Sequence, residues 1–185
     1  MAGPNGSGKS TFAASYLLRT KEDIFLNPDI IASGLGQINS EKASFHAARL
    51  LIREVKERIS KGENFGFEST LSGKTWFNTL KKAHLDGYEI IVSFLFLSSV
   101  NQNLKRIKQR VKEGGHFIPN QDVLRRYPRC FKNFWNLYRP LCSRWYIFDN
   151  SGTRPKLIMS SLAFNTSLPI TQKKFETEFL KRSNS

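Results

Sequence analysis

The sequence is poor in cysteine, histidine and acidic residues, and it has no long apolar run. Its 185 residues include two cysteines, three histidines, and 15 Asp or Glu against 29 Lys or Arg. Cys130 and Cys142 lack the Cys/His spacing of a zinc site, which favours ordinary thiols in a reducing compartment. No stretch of about 18 apolar residues exists, so no membrane span is expected. The sequence also shows no signal peptide, which would be a basic segment followed by an apolar one. We therefore expect a cytoplasmic protein.

The shortage of acids leaves a formal net charge of +14, and much of the excess lies in one segment. Residues 105–144 contain eleven Lys or Arg and only two acids. A local basic cluster suggests polyphosphate binding, whereas charge spread over one face would suggest nucleic acid, and composition leaves both open. The length and the 39% hydrophobic content indicate one domain, residues 1–185.

Glycines cluster near the start of the chain, where residues 3–10 read GPNGSGKS and Thr11 follows. This order fits the P-loop pattern G-x-x-x-x-G-K-[ST]. The glycines let the backbone curl so that successive N–H groups converge on phosphate oxygens, and residues 12–18 read as the helix that follows. The predicted nucleotide-binding residues are Pro4, Asn5, Gly6, Ser7, Gly8, Lys9, Ser10 and Thr11. A flexible Gly/Ser turn is the alternative.

Two residues of this loop carry specific chemistry. Lys9 would reach the β- and γ-phosphates of ATP, and Ser10 would supply a hydroxyl to Mg²⁺. Only Met1 and Ala2 precede the loop, so the strand that usually delivers a P-loop to the centre of a sheet is missing from the pattern. We therefore expect a weaker anchor and an exposed sheet edge beside the loop.

The rest of the chain alternates helical periodicity with short apolar runs. Residues 40–61 place apolar side chains three and four apart, which predicts a helix that ends at Gly62. The near-continuous apolar run 89–97 fits a buried parallel strand. A long helix is predicted over 122–142, in which Pro128 either makes a kink or starts a fresh first turn. An edge strand is predicted over 156–164. This alternation indicates a doubly wound α/β layer fold.

Polar side chains follow two of the predicted strands. Asn27-Pro28-Asp29 reads as a helix start with Asn27 as the N-cap. Asp29 either complements the helix dipole or acts as a general base, and the pattern favours neither. Glu68 and Thr70 follow the apolar residues 65–67. Glu68 would hold Mg²⁺ through water or accept hydrogen bonds from a substrate, unless this cluster only caps the next helix.

Taken in order, these motifs resemble the zeta toxin family of P-loop kinases, in particular its short stand-alone members. The likeness runs from residue 3 to about residue 151. The segments that carry it are the P-loop at 3–11, NPD at 27–29, FESTLSG at 67–73, residues 106–116 ending in GGH, RRYPR at 125–129 and DNS at 149–151.

The resemblance implies a fold as well as a reaction. The fold would be a three-layer P-loop kinase fold, with a mostly parallel central sheet flanked by helices and a basic helical lid at 105–144. Residues 165–185 would form a C-terminal tail. In the reaction, ATP would phosphorylate a hydroxyl of a small acceptor, chiefly UDP-N-acetylglucosamine in the better-known members. A proteinaceous antitoxin is the partner that such a family suggests.

Residue by residue, the resemblance also implies roles in that reaction. Asp29 matches the acid that activates the acceptor hydroxyl, and Glu68 and Thr70 match the residues that bind the acceptor. Arg110 matches an arginine that meets the γ-phosphate. The implied catalytic residues are therefore Asp29, Lys9 and Arg110.

Two positions depart from the family pattern. His116 stands where some members carry a second phosphate-binding arginine, and Ser72 replaces an arginine after the Glu-x-Thr pair. One of Arg125, Arg126 and Arg129 on the next helix would restore the missing charge. We predict His116 and Arg126 as further substrate-binding residues.

Other functions are compatible with the same motifs. One is a kinase of another small metabolite or of a nucleic-acid 5′-hydroxyl, which the basic charge would suit. Another is a non-catalytic, nucleotide-dependent module that binds a partner, in which Asp29 would be incidental. The sequence leaves the acceptor, the antitoxin and the oligomeric state open.

Overall fold

The computed structural model of the chain describes residues 1–20, 24–34 and 40–184, in which helices and strands alternate. The helices are α1 Lys9–Thr20, α2 Pro28–Ser33, α3 Ser40–Lys61, α4 Thr75–Leu85, α5 Val100–Lys112, α6 Asn120–Asn133 and α7 Gln172–Lys181. The strands are β1 Phe25–Leu26, β2 Gly66–Phe67, β3 Ile91–Phe96, β4 Arg144–Asp149 and β5 Lys156–Ser160. None of these helices is long and apolar enough to cross a membrane, as far as the described residues show.

The strands form two mostly parallel groups. In the first group β1 pairs with β2, and in the second β4 lies between β3, which is parallel to it, and β5, which is antiparallel. Ala2 lies between the two groups, with parallel bridges to Ser69 and Phe94. Its N–H donates to Ser93 O, and its carbonyl accepts from Leu95 N–H, each at 2.8 Å. The prediction of an exposed edge beside the P-loop is therefore wrong, because Ala2 pairs on both sides.

An aromatic part of the core lies between β3 and the helices α6 and α7. The rings of Phe94, Phe131, Phe134 and Phe179 are fully buried, with centroids as close as 4.5 Å between Phe94 and Phe134. Burial of such large side chains is the main source of stability in a domain of this size. The segment that was expected as a C-terminal tail thus contributes α7 to this core through Phe179.

A separate, smaller cluster lies between α5 and α6. It consists of Ile107, Ile118 and Val123, with Leu104 and Val111 packed against it. The apolar spacing of α5 predicts this contact, and Ser99 caps the helix by accepting a hydrogen bond from Gln102 N–H.

The long helix expected over 122–142 is not continuous. The α-helical part, α6, ends at Asn133, and a π-helical turn, Phe134–Tyr138, and a 3₁₀ turn, Arg139–Leu141, follow. Pro128 lies inside α6 and does not end it. The 3₁₀ turn contains Pro140, whose missing N–H prevents the α-helical pattern from continuing. The predicted edge strand is also shorter, since β5 ends at Ser160.

Candidate active site

The P-loop has the backbone conformation that its glycines predict. Gly3, Gly6 and Gly8 have φ angles of 136°, 76° and 89°, which side chains of L-residues rarely adopt. Space is also limiting: a Cβ on Gly3 would lie 2.0 Å from Leu95 O. The loop therefore packs against β3 so closely that glycine is required.

Lys9 begins α1 and lies over the loop. Its side chain is buried, and Nζ donates to Pro4 O at 3.1 Å. Ser10 and Thr11 follow in the first turn of α1, and both are exposed. This is the position from which a helix N-terminus and a lysine bind phosphate.

The Ser7 hydroxyl inside the loop is able to donate to a polyphosphate ligand, whereas the Asn5 amide oxygen is an acceptor. Asn5 Oδ1 and Ser7 Oγ are buried and have no hydrogen-bond partner within the described part of the chain. Among those residues there is also no group of three His, Cys, Asp or Glu that would hold a metal ion alone. The predicted protein ligand of Mg²⁺ is the hydroxyl of Ser10, which is exposed.

Glu68 lies directly after β2, next to the segment that leads into the P-loop. Its side chain is 6% exposed, and Oε2 has no hydrogen-bond partner among residues that the structure describes. Burial lowers the pKa of the Met1 α-amino group to about 6. The charge of Lys9 lowers this pKa further, and the charge of Glu68 raises it. Glu68 and Lys9 thus both lie within electrostatic reach of Met1. A buried carboxylate oxygen without a donor is costly, so this is a position where a ligand hydroxyl would be stabilising.

The loop after Glu68 is held in a strained conformation. Leu71 has a φ of 53°, in the left-handed region that branched side chains avoid. Asn133 Nδ2 donates to Leu71 O at 2.9 Å, and Tyr138 OH donates to Gly73 O at 2.7 Å. Thr70 Oγ1 lies 2.9 Å from Ser72 Oγ. Strain of this kind is concentrated at functional sites, which supports a ligand-binding role for the loop.

One face of α5 points toward the P-loop. Asn103 Nδ2 donates to Asn5 O at 2.7 Å. One turn later, Arg106 Nη1 lies 3.6 Å from the position of a Cβ on Gly8. Arg110 follows after another turn on the same face, and its Nη2 donates to His116 O at 3.0 Å. The structure therefore places the predicted residues Arg110 and His116 side by side.

Arg126 lies on α6, one turn after Asp122. Its Nη2 donates to Asp122 Oδ2 at 3.1 Å, while Arg125 binds the other oxygen of the same carboxylate. Burial raises the pKa of the Cys130 thiol to about 12, against the opposing effect of Lys9 and Arg126. Asp122 of the same helix is the side-chain partner that the structure shows for the predicted residue Arg126.

The backbone of Asp29 lies in the first turn of α2. Asn27 caps this helix, as predicted, because its Oδ1 accepts from Ile30 N–H at 3.4 Å. The side chain of Asp29 lies outside the described part of the chain, so its role as the base stays a prediction.

The sequence pattern did not single out Asn103, Arg106 or Asn150 as individual site residues. Asn150 Nδ2 donates to Ser7 O at 2.8 Å, and Arg106 Nη2 donates to Asn150 O at 2.8 Å. The sequence does contain one indication of the role of Asn103. This polar residue stands four residues before Ile107, at a core position of α5 where an apolar residue would be expected.

Several solved structures resemble the chain, among them the following three. The AvrRxo1-ORF1:AvrRxo1-ORF2 complex with sulphate ions gives a TM-score of 0.69 at 17% identity, over 96% of this chain and 62% of that chain. The PezAT chromosomal toxin–antitoxin system of Streptococcus pneumoniae gives 0.58 at 15% identity, over 100% and 86%. A candidate kinase of Chloroflexus aurantiacus gives 0.53 at 17% identity, over 64% and 70%. The chain thus spans about three fifths of the AvrRxo1 chain that it matches.

These similarities show the fold. The chain has the three-layer α/β P-loop kinase fold that the sequence predicts. No family model matches it. An uncharacterized protein of Haemophilus influenzae is 36% identical over 125 residues, which cover 68% of this chain and 88% of that protein. The chain belongs to the same family as this Haemophilus influenzae protein.

Proposed function

We propose that the chain is an ATP-dependent kinase that phosphorylates a hydroxyl of a UDP-N-acetylamino sugar. UDP-N-acetylglucosamine is the acceptor that we propose first. The observation that carries this proposal is the pair of buried side chains Lys9 and Glu68. Glu68 directly follows β2, and Lys9 follows the loop that leaves Ala2, which is bridged to the neighbouring Ser69. Ligands of open α/β sheets bind at the carboxyl ends of the strands. Lys9 suits the phosphates, and the unpartnered oxygen of Glu68 suits an acceptor hydroxyl. The related AvrRxo1 complex has also been crystallised with ATP.

The P-loop side of the site would bind and polarise the nucleotide. The loop N–H groups and Lys9 bind the β- and γ-phosphates, and Arg110 neutralises charge that develops on the γ-phosphate oxygens, assisted by His116 or Arg126. Ser10 would hold Mg²⁺, which supplies further neutralisation at these phosphates when it is bound. Phosphoryl transfer needs little covalent chemistry from the protein, so positioning and charge account for the rate.

The other side of the site would bind and activate the acceptor. Glu68 accepts a hydrogen bond from a sugar hydroxyl, and Thr70 orients the same sugar from the strained loop. Asp29 takes the proton of the attacking hydroxyl as the general base.

The function would be that of a toxin that acts in the cytoplasm and is neutralised by a protein antitoxin. Support for a protein partner comes from two neighbours in structure, PezAT, which is a toxin–antitoxin system, and the two-protein AvrRxo1 complex. Growth of cells that express the chain, compared with an Asp29→Ala variant, tests the toxic role separately from the chemistry.

The chemistry is tested by incubating the protein with ATP and Mg²⁺ and a panel of nucleotide sugars, with mass analysis of the products. The panel includes an oligonucleotide with a free 5′-hydroxyl. We expect one phosphate to be added to a UDP-N-acetylamino sugar, and we expect Asp29→Ala and Glu68→Gln to abolish the product while ATP still binds. Glu57→Gln, an exposed acid on α3, is the matched control for Glu68→Gln.

Other results would redirect the proposal. Phosphorylation of the oligonucleotide, or of a sugar without the UDP group, would contradict the proposed acceptor. Release of phosphate to water alone, unchanged in Asp29→Ala, would indicate a nucleotide-dependent module instead of a kinase. Unchanged ATP affinity in Lys9→Ala would remove the P-loop assignment.

A further inference from the structure

The backbone of the P-loop is held from outside by two asparagine side chains that are distant in sequence. Asn103 of α5 donates from Nδ2 to Asn5 O at 2.7 Å, and Asn103 is fully buried. Asn150, directly after β4, donates from Nδ2 to Ser7 O at 2.8 Å. Alternate carbonyls of the loop therefore each have a side-chain amide as partner.

The contacts between these elements and the loop leave little free space. A Cβ on Gly6 would lie 2.6 Å from the backbone oxygen of Asn103, and a Cβ on Gly8 would lie 2.4 Å from Asn150 Nδ2. Two glycines of the loop are thus in direct contact with the two residues that bind its carbonyls. The position of α5 and the shape of the loop are consequently interdependent.

The geometry of the peptide bond gives these contacts a consequence for ligand binding. In a planar trans peptide the C=O of one residue and the N–H of the next point in opposite directions. When Asn103 holds the Asn5 carbonyl outward, the N–H of Gly6 points to the other side of the loop. Asn150 has the same effect on the N–H of Gly8 through the Ser7 carbonyl.

A third contact connects this arrangement to a cation. Arg106 Nη2 donates to Asn150 O at 2.8 Å, and Arg106 Nη1 lies beside Gly8. The guanidinium is therefore held at the loop by the same asparagine that orients the Gly8 N–H. Arg106, Asn150 and Gly8 form one connected unit.

We propose that Asn103 and Asn150 are positioning residues of the nucleotide site, which orient the N–H groups of Gly6 and Gly8 toward the phosphates before ATP arrives. The inference rests on the proposed function in so far as ATP is the ligand. Preorganised donors do not have to be reoriented on binding, so their affinity for phosphate is higher. Without either amide, the peptide it holds can rotate, and an N–H donor is lost to the phosphates.

Alanine variants test the proposal against a purely structural role. We would compare Asn103→Ala and Asn150→Ala with Asn165→Ala, which removes an amide that donates to Leu157 O of β5 at 2.9 Å and accepts from Ser167. Calorimetry gives the dissociation constants of ATP and of adenosine, which has no phosphate, and urea unfolding gives the stability of each variant.

The expected result is specific for phosphate. Asn103→Ala and Asn150→Ala raise the dissociation constant of ATP by tenfold or more, about the effect of one hydrogen bond to a charged group. Their affinity for adenosine changes less than threefold, about the size of a minor packing effect. Asn165→Ala leaves the affinity for ATP unchanged.

The outcomes separate this inference from the proposed function. If the parent protein binds no ATP, the proposed function itself fails, and the inference fails with it. If the parent protein binds ATP and both variants lose ATP and adenosine equally, or match Asn165→Ala, the asparagines are structural only and the inference is overturned. Because Asn103 is fully buried and Asn150 is half-buried, Asn150→Ala decides the matter if Asn103→Ala does not fold.

Discussion

Arg110 and His116 are joined across the turn that ends α5, where Arg110 Nη2 donates to the backbone oxygen of His116 at 3.0 Å. The turn is tight: a Cβ on Gly115 would lie 2.6 Å from Arg110 Cγ. The guanidinium is therefore held in place by the backbone of the basic segment. A cation that is fixed before the reaction stabilises developing charge without reorganisation.

We predict that Arg110→Ala lowers the rate of phosphoryl transfer by about 10³-fold or more, the effect of comparable arginines. The affinity for ATP should change little, because the γ-phosphate charge that Arg110 would neutralise in the proposed reaction develops in the transition state. Single-turnover kinetics with labelled ATP measure the transfer step. Lys108→Ala is the matched control, because Lys108 is an exposed cation on another face of the same helix. An equal loss in both variants would indicate a general effect of charge.

The glycines of the P-loop should differ from glycines elsewhere in their tolerance of a methyl group. Gly62 has a φ of 70° with nothing within 4 Å of an added Cβ, whereas the same atom on Gly6 would meet Asn103 O at 2.6 Å. Gly62→Ala should cost roughly 1–2 kcal/mol of stability, from the left-handed conformation alone. Gly6→Ala should cost more and abolish ATP binding, since α5 must move away. Urea unfolding and calorimetry measure the two effects, and equal costs would contradict the contact.

The parts of the structure that sequence reasoning predicts well are local. The P-loop glycines need positive φ angles, Asn27 supplies a cap, and the apolar spacing of α5 defines its buried face, so each of these follows from a few neighbouring residues. The parts that it misses depend on contacts between distant segments. Ala2 pairs with Ser69 and Phe94, for which no local pattern exists.

The same distinction applies to the candidate site. The identity of the phosphate-binding loop follows from its own residues, but its support comes from Asn103 and Asn150, about 100 and 140 residues further along the chain. A single polar residue at a core position, such as Asn103, is the most that a sequence can show of such a contact. The roles of Asp29, Glu68 and Thr70 stay predictions.

Neither cysteine should react readily in the folded protein. Burial raises the pKa of Cys130 and of Cys142 to about 12, so almost no thiolate is present near neutral pH. We predict that DTNB labels neither thiol in the native chain on the timescale of a free thiol, and labels both after unfolding in guanidinium chloride. Rapid labelling of one thiol under native conditions would show that the segment around it opens.

The same pKa shift predicts a loss of stability in alkaline solution. The Cys130 thiol has an ordinary pKa near 9.0 when unfolded and about 12 when folded. Between these two pKa values the thiol binds fewer protons in the unfolded state than in the folded state. The free energy of unfolding therefore falls as pH rises through this range. Urea unfolding at about pH 8 and about pH 10 should show this decrease, and Cys130→Ala should make it shallower. An identical decrease in the variant would assign it to other groups.

The position of Phe179 predicts that α7 is an integral part of the domain. Its ring is fully buried, and its centroid lies 4.9 Å from that of Phe131 on α6 and 5.6 Å from that of Phe94 on β3. Phe179→Ala should therefore cost about 3–5 kcal/mol of stability, from lost burial and the cavity that remains. Phe117→Ala, which removes a ring that is 58% exposed, is the matched control and should cost far less. If equilibrium unfolding gives both variants the same small cost, α7 is a dispensable tail that only covers the core. A large cost for Phe179→Ala alone would show that the core beside β3 depends on α7.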